Sequence, residues 1–340
     1  MATLREDGPG LSGVGLPAES FGRPHSTKLN GLRLFWVEAG AGEPLILLHG
    51  LGDSHRTWRR LAPLLAPRYR VLLPDLAGHG LSGRPDAPYT LDWHVEVVAE
   101  WMDRIGVTRA HLCGHSYGGG VAQWLLLKHR DRVDRLALVS PGGLGREVTA
   151  GLRFVSLPLP EAVFSPTAMA LGTRLVVRLD ASELGHPEPS EIETMARMNG
   201  LPGSGRAFRR SVRGVINVLG QAVQTCRQAA EAPSLPPIAL FWGERDRVIP
   251  VEHGRVAVER YRGATLTVYP GCGHYAHLQE PALLARDLLE FLGDPARPPA
   301  RIEFACPGGP RHEGSDALPV GQCLHCTWRP RGLLRGVVSP

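Results

Sequence analysis

The sequence predicts an α/β fold: a mostly parallel central sheet with helices on both faces, interrupted by a helical insertion. Three observations predict it. Short apolar runs of strand length recur along the chain, helical patterns fall between most of them, and this alternation breaks after Gly145 and resumes near Pro236. Strands that alternate with helices pair in parallel, because the crossover between parallel strands needs a helix, which then covers one face of the sheet. Ligands of such sheets bind beyond the carboxyl ends of the strands. A chain of 340 residues, 43% of them hydrophobic, can bury a core of that size.

Taken in order, residues 1–27 are expected to form a flexible extension, since residues 1–22 are rich in glycine and polar side chains. They lack the charged-then-apolar pattern of a secretion signal. Strand-like runs follow at 32–39, 45–48, 71–74 and 110–113, and residues 121–128 (Val-Ala-Gln-Trp-Leu-Leu-Leu-Lys) read as the buried side of a helix. A further strand is expected at 136–140. Residues 146–235, rich in helical patterns, prolines and apolar side chains, are expected to be a cap or lid. The alternation resumes with strands at 238–242 and 265–269 and a closing amphipathic helix, so the core comprises 28–145 and 236–293. No internal repeat is evident. Residues 294–340 turn rich in proline and arginine and are expected to be a disordered extension.

Residues 114–118 read Gly-His-Ser-Tyr-Gly, the pattern G-x-S-x-G, between an apolar run and a helix-forming run. That context makes Ser116 a candidate nucleophile on a strand-to-helix elbow. Such a turn crowds the backbone at unusual dihedrals, so its neighbours must be small; Gly114 and Gly118 meet that need. The helix that follows directs free N–H groups toward negative charge near the serine. A serine hydroxyl is a weak nucleophile at neutral pH and needs a base, and the base needs an acceptor that fixes its tautomer. Both occur downstream. Asp246, in Gly-Glu-Arg-Asp, stands just past the run 238–242, and His274, in Pro-Gly-Cys-Gly-His, follows the run 265–269. His274 is the candidate base. Upstream, the run 45–48 ends in His49-Gly50-Leu51-Gly52.

This order of Ser116, Asp246 and His274, with the loop at 49–52, resembles the α/β-hydrolase superfamily over roughly residues 30–293. The resemblance implies an α/β-hydrolase fold and a serine hydrolase that cleaves carboxylic esters of small or hydrophobic substrates through an acyl-enzyme. It implies no cofactor. The backbone N–H groups of Leu51 and Tyr117 would stabilise the oxyanion, which makes Gly50 and Gly52 positions to test. His49 is expected to be scaffold, as is Asp75 in the loop Pro74-Asp75-Leu76-Ala77-Gly78-His79-Gly80-Leu81-Ser82, which also resembles a family loop. Ser116 argues against the carboxylate nucleophile of epoxide hydrolases and haloalkane dehalogenases. Residues 140–145 (Ser-Pro-Gly-Gly-Leu-Gly) resemble the corresponding loop of carbon-carbon hydrolases of aromatic-ring degradation, the alternative activity. A catalytically silent member that binds a small hydrophobic ligand is the third reading.

Fourteen histidines supply rivals for the base. His111 lies in an expected strand, His115 is expected to point away from the substrate side, and His277 is expected to pack. Glu244 and Glu147 are the rival acids, with Asp246 preferred for its place in the loop. Phe154, Val155, Leu157, Leu159, Val163, Phe164, Met169 and Leu171 are candidates to line a pocket under the cap. Arg206, Arg209, Arg210 and Arg213 are expected to form a solvated helix face.

The formal charge of +5 comes almost wholly from scattered arginines, Lys28 and Lys128 being the only lysines, so nucleic-acid binding has little support. No run approaches the length of a membrane span, and cytoplasmic residence is expected. Cys306, His312, Cys323, His325 and Cys326 gather in the tail, but their spacing fits no finger pattern and no metal is expected; Cys113, Cys226 and Cys272 read as isolated thiols. The sequence leaves the oligomeric state open.

Overall fold

The computed structural model describes residues 21–293 apart from 180, 182, 186, 224–234 and 262. The expectations for residues 294–340, including the tail cysteines, lie outside the described residues. So does Cys226.

Eight strands form one sheet: β1 (Arg23–Leu29), β2 (Leu32–Ala39), β3 (Glu43–Leu48), β4 (Tyr69–Pro74), β5 (Ala110–His115), β6 (Val133–Val139), β9 (Ile238–Gly243) and β10 (Thr265–Tyr269). Their spatial order is β1-β2-β4-β3-β5-β6-β9-β10. From β4 to β10 every neighbouring pair is parallel, while β1–β2 and β2–β4 are antiparallel. All seven expected strands are present.

The eighth, β1, corrects the expected extension: residues 23–27 belong to the sheet. Its sequence Arg-Pro-His-Ser-Thr-Lys-Leu is polar because β1 is an edge strand, largely exposed along its length. The unread signal is Asn30-Gly31, a two-residue turn with φ of 47° and 87° that joins Leu29 to Leu32. Positive φ at both positions gives the hairpin turn whose twist matches the strands it joins.

Successive side chains along the central strands enter two cores. Ile46, Leu48, Leu112, Leu136, Leu138, Leu240 and Trp242 pack on one face; Leu45, Leu47, Cys113, Ala137, Val139, Ala239 and Phe241 pack on the other. The first face is covered by α2 (Leu91–Arg104) and α3 (Ser116–Lys128), the second by α1 (Ala62–Leu65) and by the last helix, Pro281–Leu292. Burial on both faces explains why these strands read as continuous apolar runs rather than alternating ones.

After β6 the chain leaves the sheet and returns at β9. Between them lie α4 (Ala150–Val155), α5 (Pro166–Leu179), α6 (Pro189–Asn199), α7 (Ser204–Val215) and a two-stranded hairpin of β7 (Ile216–Asn217) and β8 (Gly220–Gln221). This excursion, the insert, begins and ends on neighbouring strands, with Leu136 paired to Ile238. Helices α8 (Glu252–Arg260), α9 (Ala276–Gln279) and α10 (Pro281–Leu292) complete the chain.

Candidate active site

Ser116 stands where β5 becomes α3, with φ of 51°, a left-handed conformation that costs a non-glycine residue free energy. The glycines around it are fixed by close approach. A Cβ on Gly118 would lie 2.3 Å from the Leu48 carbonyl oxygen and 2.4 Å from that of His49. One on Gly114 would lie 2.5 Å from the Gly118 carbonyl oxygen. The first turn of α3 is therefore wedged against the end of β3, and G-x-S-x-G is the spacing this wedge needs. The Ser116 carbonyl accepts the Gly142 N–H at 2.9 Å, which ties the elbow to the loop after β6.

The loop after β3 lies beside the serine. The ideal Cβ position of Gly50 is 3.4 Å from the Ser116 Cβ. His49 is fully buried, and both ring nitrogens are engaged: Nδ1 meets the Gly50 carbonyl at 2.8 Å, and Nε2 accepts the Leu76 N–H at 2.9 Å. These contacts define one neutral tautomer. Burial pushes the His49 pKa below the usual histidine range, although Asp75 and Asp53 oppose the shift. Among the described residues the Leu51 N–H finds no acceptor. The Tyr117 N–H lies in the first turn of α3, where no helical acceptor exists. The two expected oxyanion donors are thus unengaged.

His274 follows β10, and its Nδ1 meets Asp246 Oδ2 at 2.8 Å. The other carboxylate oxygen of Asp246 accepts the N–H groups of Val248 and Ile249, each at 2.8 Å. Burial alone would raise the Asp246 pKa; His274 and the two N–H groups outweigh it and hold the carboxyl below its ordinary value. An ionised acceptor at Nδ1 leaves the proton there and the lone pair on Nε2, the form a general base requires. The His115 ring centroid lies 4.8 Å from that of His274, so the loops bearing Ser116 and His274 adjoin.

The rivals are occupied elsewhere. Glu147 meets His253 Nε2 at 2.7 Å and Glu244 accepts the Gly271 N–H at 3.0 Å. His115 is fully buried with Nε2 against the His274 carbonyl at 3.1 Å, and His277 Nε2 meets Thr57 Oγ1 at 2.8 Å. His111 Nε2 reaches Glu43 at 3.3 Å. Asp75 anchors its loop: its carboxylate accepts the N–H groups of His55 and Leu81, both at 2.6 Å.

Two polar residues of the insert reach the site loops without any signal in their local sequence. Glu183 Oε2 accepts the His274 backbone N–H at 2.7 Å, and Asn199 Nδ2 donates to the Gly52 carbonyl at 2.8 Å. Of the apolar side chains expected under a cap, Phe154, Val163 and Leu171 face solvent, whereas Phe164 is buried beneath the Arg209 guanidinium. The helix arginines engage this chain's own acids: Arg209 bonds Glu161 and Arg210 bonds Asp86. Among the described residues no cluster of His, Cys, Asp or Glu could hold a metal ion, and no helix is long and apolar enough to cross a membrane.

A parallel sheet with a serine on a strained strand-to-helix turn, and a histidine-carboxylate pair on later strand ends, defines a class of α/β protein. The chain belongs to the α/β-hydrolase family: a family model described as alpha/beta hydrolase fold matches residues 43–165. Among its relatives is an uncharacterized protein of Mycobacterium tuberculosis, 30% identical over 301 residues, which span 86% of this chain and 87% of that protein. The 2-hydroxymuconate semialdehyde hydrolase of Pseudomonas sp. (strain CF600) is 30% identical over 78% of this chain and 92% of its own length. A solved meta-cleavage product hydrolase from Pseudomonas fluorescens IP01 superposes with a TM-score of 0.65 at 26% identity, covering 79% of this chain and 97% of that one.

Proposed function

We propose that this protein is a serine hydrolase in which Ser116 is the nucleophile, His274 the general base and Asp246 its orienting acid. The observation that carries this reading is the His274–Asp246 contact of 2.8 Å, with the His274 ring 4.8 Å from that of His115, the residue before a serine at positive φ. Ser116 Oγ attacks a carbonyl carbon while His274 Nε2 takes its proton, and the charge that develops on the carbonyl oxygen is met by the N–H groups of Leu51 and Tyr117. Collapse expels the leaving group, which receives the proton from His274. Water, deprotonated in turn by His274, then releases the acyl group and restores the serine. Residues 146–235 act as a cap that shapes the acyl pocket, and the substrate class is a small or hydrophobic carboxylic ester.

Carbon-carbon hydrolysis is the second reading, favoured by the 30% identity to the semialdehyde hydrolase along nearly its whole length. A muconate-type substrate carries a carboxylate that needs a cation, and the engagement of Arg209 and Arg210 by Glu161 and Asp86 weighs toward esters.

The test is a p-nitrophenyl ester series from acetate to palmitate, with one dienol-type ring-fission compound, run on wild type and Ser116→Ala. Ester cleavage that depends on Ser116 supports the leading reading, and its chain-length optimum sizes the pocket. Turnover of the ring-fission compound alone would replace it with the second.

A further inference from the structure

We propose that Glu183 and Asn199 are positioning residues: the insert holds the histidine loop through the one and the oxyanion loop through the other, so turnover depends on a seated insert. This rests on the roles assigned above to Ser116, His274 and Leu51.

Glu183 lies between α5 and α6, its side chain 8% exposed. Its Oε2 takes the His274 backbone N–H at 2.7 Å, and a Cβ on Gly273 would lie 2.1 Å from the same oxygen. Gln279 closes a ring around this contact: its Nε2 donates to the Glu183 carbonyl at 2.8 Å and its Oε1 accepts the Gly273 N–H at 2.8 Å. The only cation near the Glu183 carboxylate among the described residues is Arg247, 3.9 Å away and itself 82% exposed. Burying a carboxylate against backbone N–H is costly unless each oxygen is well used, and here the donor it uses belongs to the candidate base.

Asn199 ends α6 and is also buried. Its Nδ2 divides between the Gly52 carbonyl at 2.8 Å and Thr173 Oγ1 at 3.1 Å, and Thr173 in turn donates to the Met169 carbonyl at 2.8 Å. A chain of bonds thus runs from α5 through α6 to the loop that holds Leu51. Gly52 sits at φ 69°, with Phe208 of α7 against it, so this loop owes its shape to the insert as well as to β3. Neither bond is needed to pair a strand. Each fixes a loop whose small displacement is costly, since a misplacement of about 1 Å can cost about 10²-fold in rate.

The experiment compares wild type with Glu183→Ala, Glu183→Gln and Asn199→Ala, measuring kcat and KM on the best ester, fluorophosphonate labelling of Ser116, and thermal unfolding. Glu183→Ala is expected to lower kcat about 10- to 100-fold with KM within about threefold, and labelling should slow in parallel. Glu183→Gln keeps an acceptor oxygen and should recover most of kcat; Asn199→Ala should lose about tenfold in kcat. Equal kcat in Glu183→Gln and Glu183→Ala, or losses carried by KM, would overturn the proposal. Should Glu183→Ala not fold, Asn199→Ala decides: kcat within about twofold of wild type overturns it. Wild-type protein that takes up no probe would sink the serine-hydrolase reading itself, whereas labelled wild type with fully active variants would sink only the positioning roles.

Discussion

Around Ser116 the chain is held by its own backbone, whereas the insert, apart from a backbone bond from the Thr149 N–H to the Val248 carbonyl, is held to the core mainly by side chains. Gly114 and Gly118 press main chain against main chain, Gly119 packs on Pro141, and Gly142 N–H bonds the Ser116 carbonyl. The insert instead meets the core through Glu183, Asn199, the Arg210–Asp86 pair and the Arg59–Glu191 pair. Its outer surface carries Leu171 and Leu175, each 59% exposed, and Leu179 at 73%, while the central strands are buried on both faces. Backbone contacts tolerate no substitution at the glycines that make them; side-chain contacts can be removed one at a time. The elbow and the insert are thus built to different tolerances.

The sharpest test of this contrast lies at the proposed reacting groups. Ser116→Ala and His274→Ala should each lower kcat by about 10⁴-fold or more, and Asp246→Asn by about 10³- to 10⁴-fold, with unfolding temperatures close to wild type. Assays that find these losses accompanied by unfolding would assign the residues to the scaffold instead. Next in size is Gly118→Ala, whose added methyl would meet two carbonyl oxygens at under 2.5 Å, with only backbone to give way. It should cost about 3 kcal/mol in urea unfolding, with activity lost alongside.

The third prediction concerns pH. His49, His79, His94, His115 and His277, none of them in the insert, have pKa values lowered first of all by burial, His94 to about 3. Below about pH 6.5 the unfolded chain binds protons at these sites that the folded chain refuses, so stability falls on acidification, by up to about 1.4 kcal/mol per pH unit for each histidine. His94 has no hydrogen-bond partner at either ring nitrogen. Replacing it with leucine should flatten the stability curve between about pH 6.5 and 4 by about one proton. An unchanged slope would mean that water reaches the ring in solution.

Away from Glu183 and Asn199, the insert should yield the smallest effects, read as stability. Glu191→Gln breaks the half-buried pair with Arg59 and is expected to cost about 1 kcal/mol, and Leu175→Ser, on the exposed face of α5, should stay within about 0.5 kcal/mol. A large loss from Leu175→Ser would reveal a partner for that face.

Sequence legibility follows the same division. Strands β3, β4, β5, β6 and β9 were readable because parallel strands with both faces covered are continuous apolar runs, whereas β10, at the sheet edge, was readable by its alternation. The elbow at Ser116 and the contact between His274 and Asp246 were readable because each residue stands within a few positions of a strand end. Strand β1 was hidden by its polar edge composition, although Asn30-Gly31 carried the turn signal. Glu183 and Asn199 were not legible, since each acts on a loop far away in sequence: 91 positions separate Glu183 from His274 and 147 separate Asn199 from Gly52. The pairing of Glu147 with His253 likewise needed three dimensions, as did the mutual packing of His115, His274 and His277.

Because β6 and β9 lie side by side, with Leu136 opposite Ile238, the whole excursion between them is a detour that starts and finishes at one place in the sheet. Its ends are already juxtaposed, and doubling the length of such a detour costs only about 0.6 kcal/mol in closure entropy. The position is a natural graft point: a foreign insert can be spliced between Gly145 and Pro236, which leaves both the sheet register and the Gly142 bond to the Ser116 carbonyl in place. A chimera made this way inherits the elbow and the His274–Asp246 pair from the host. Its turnover then depends on whether the donor brings a carboxylate and an amide to the places of Glu183 and Asn199.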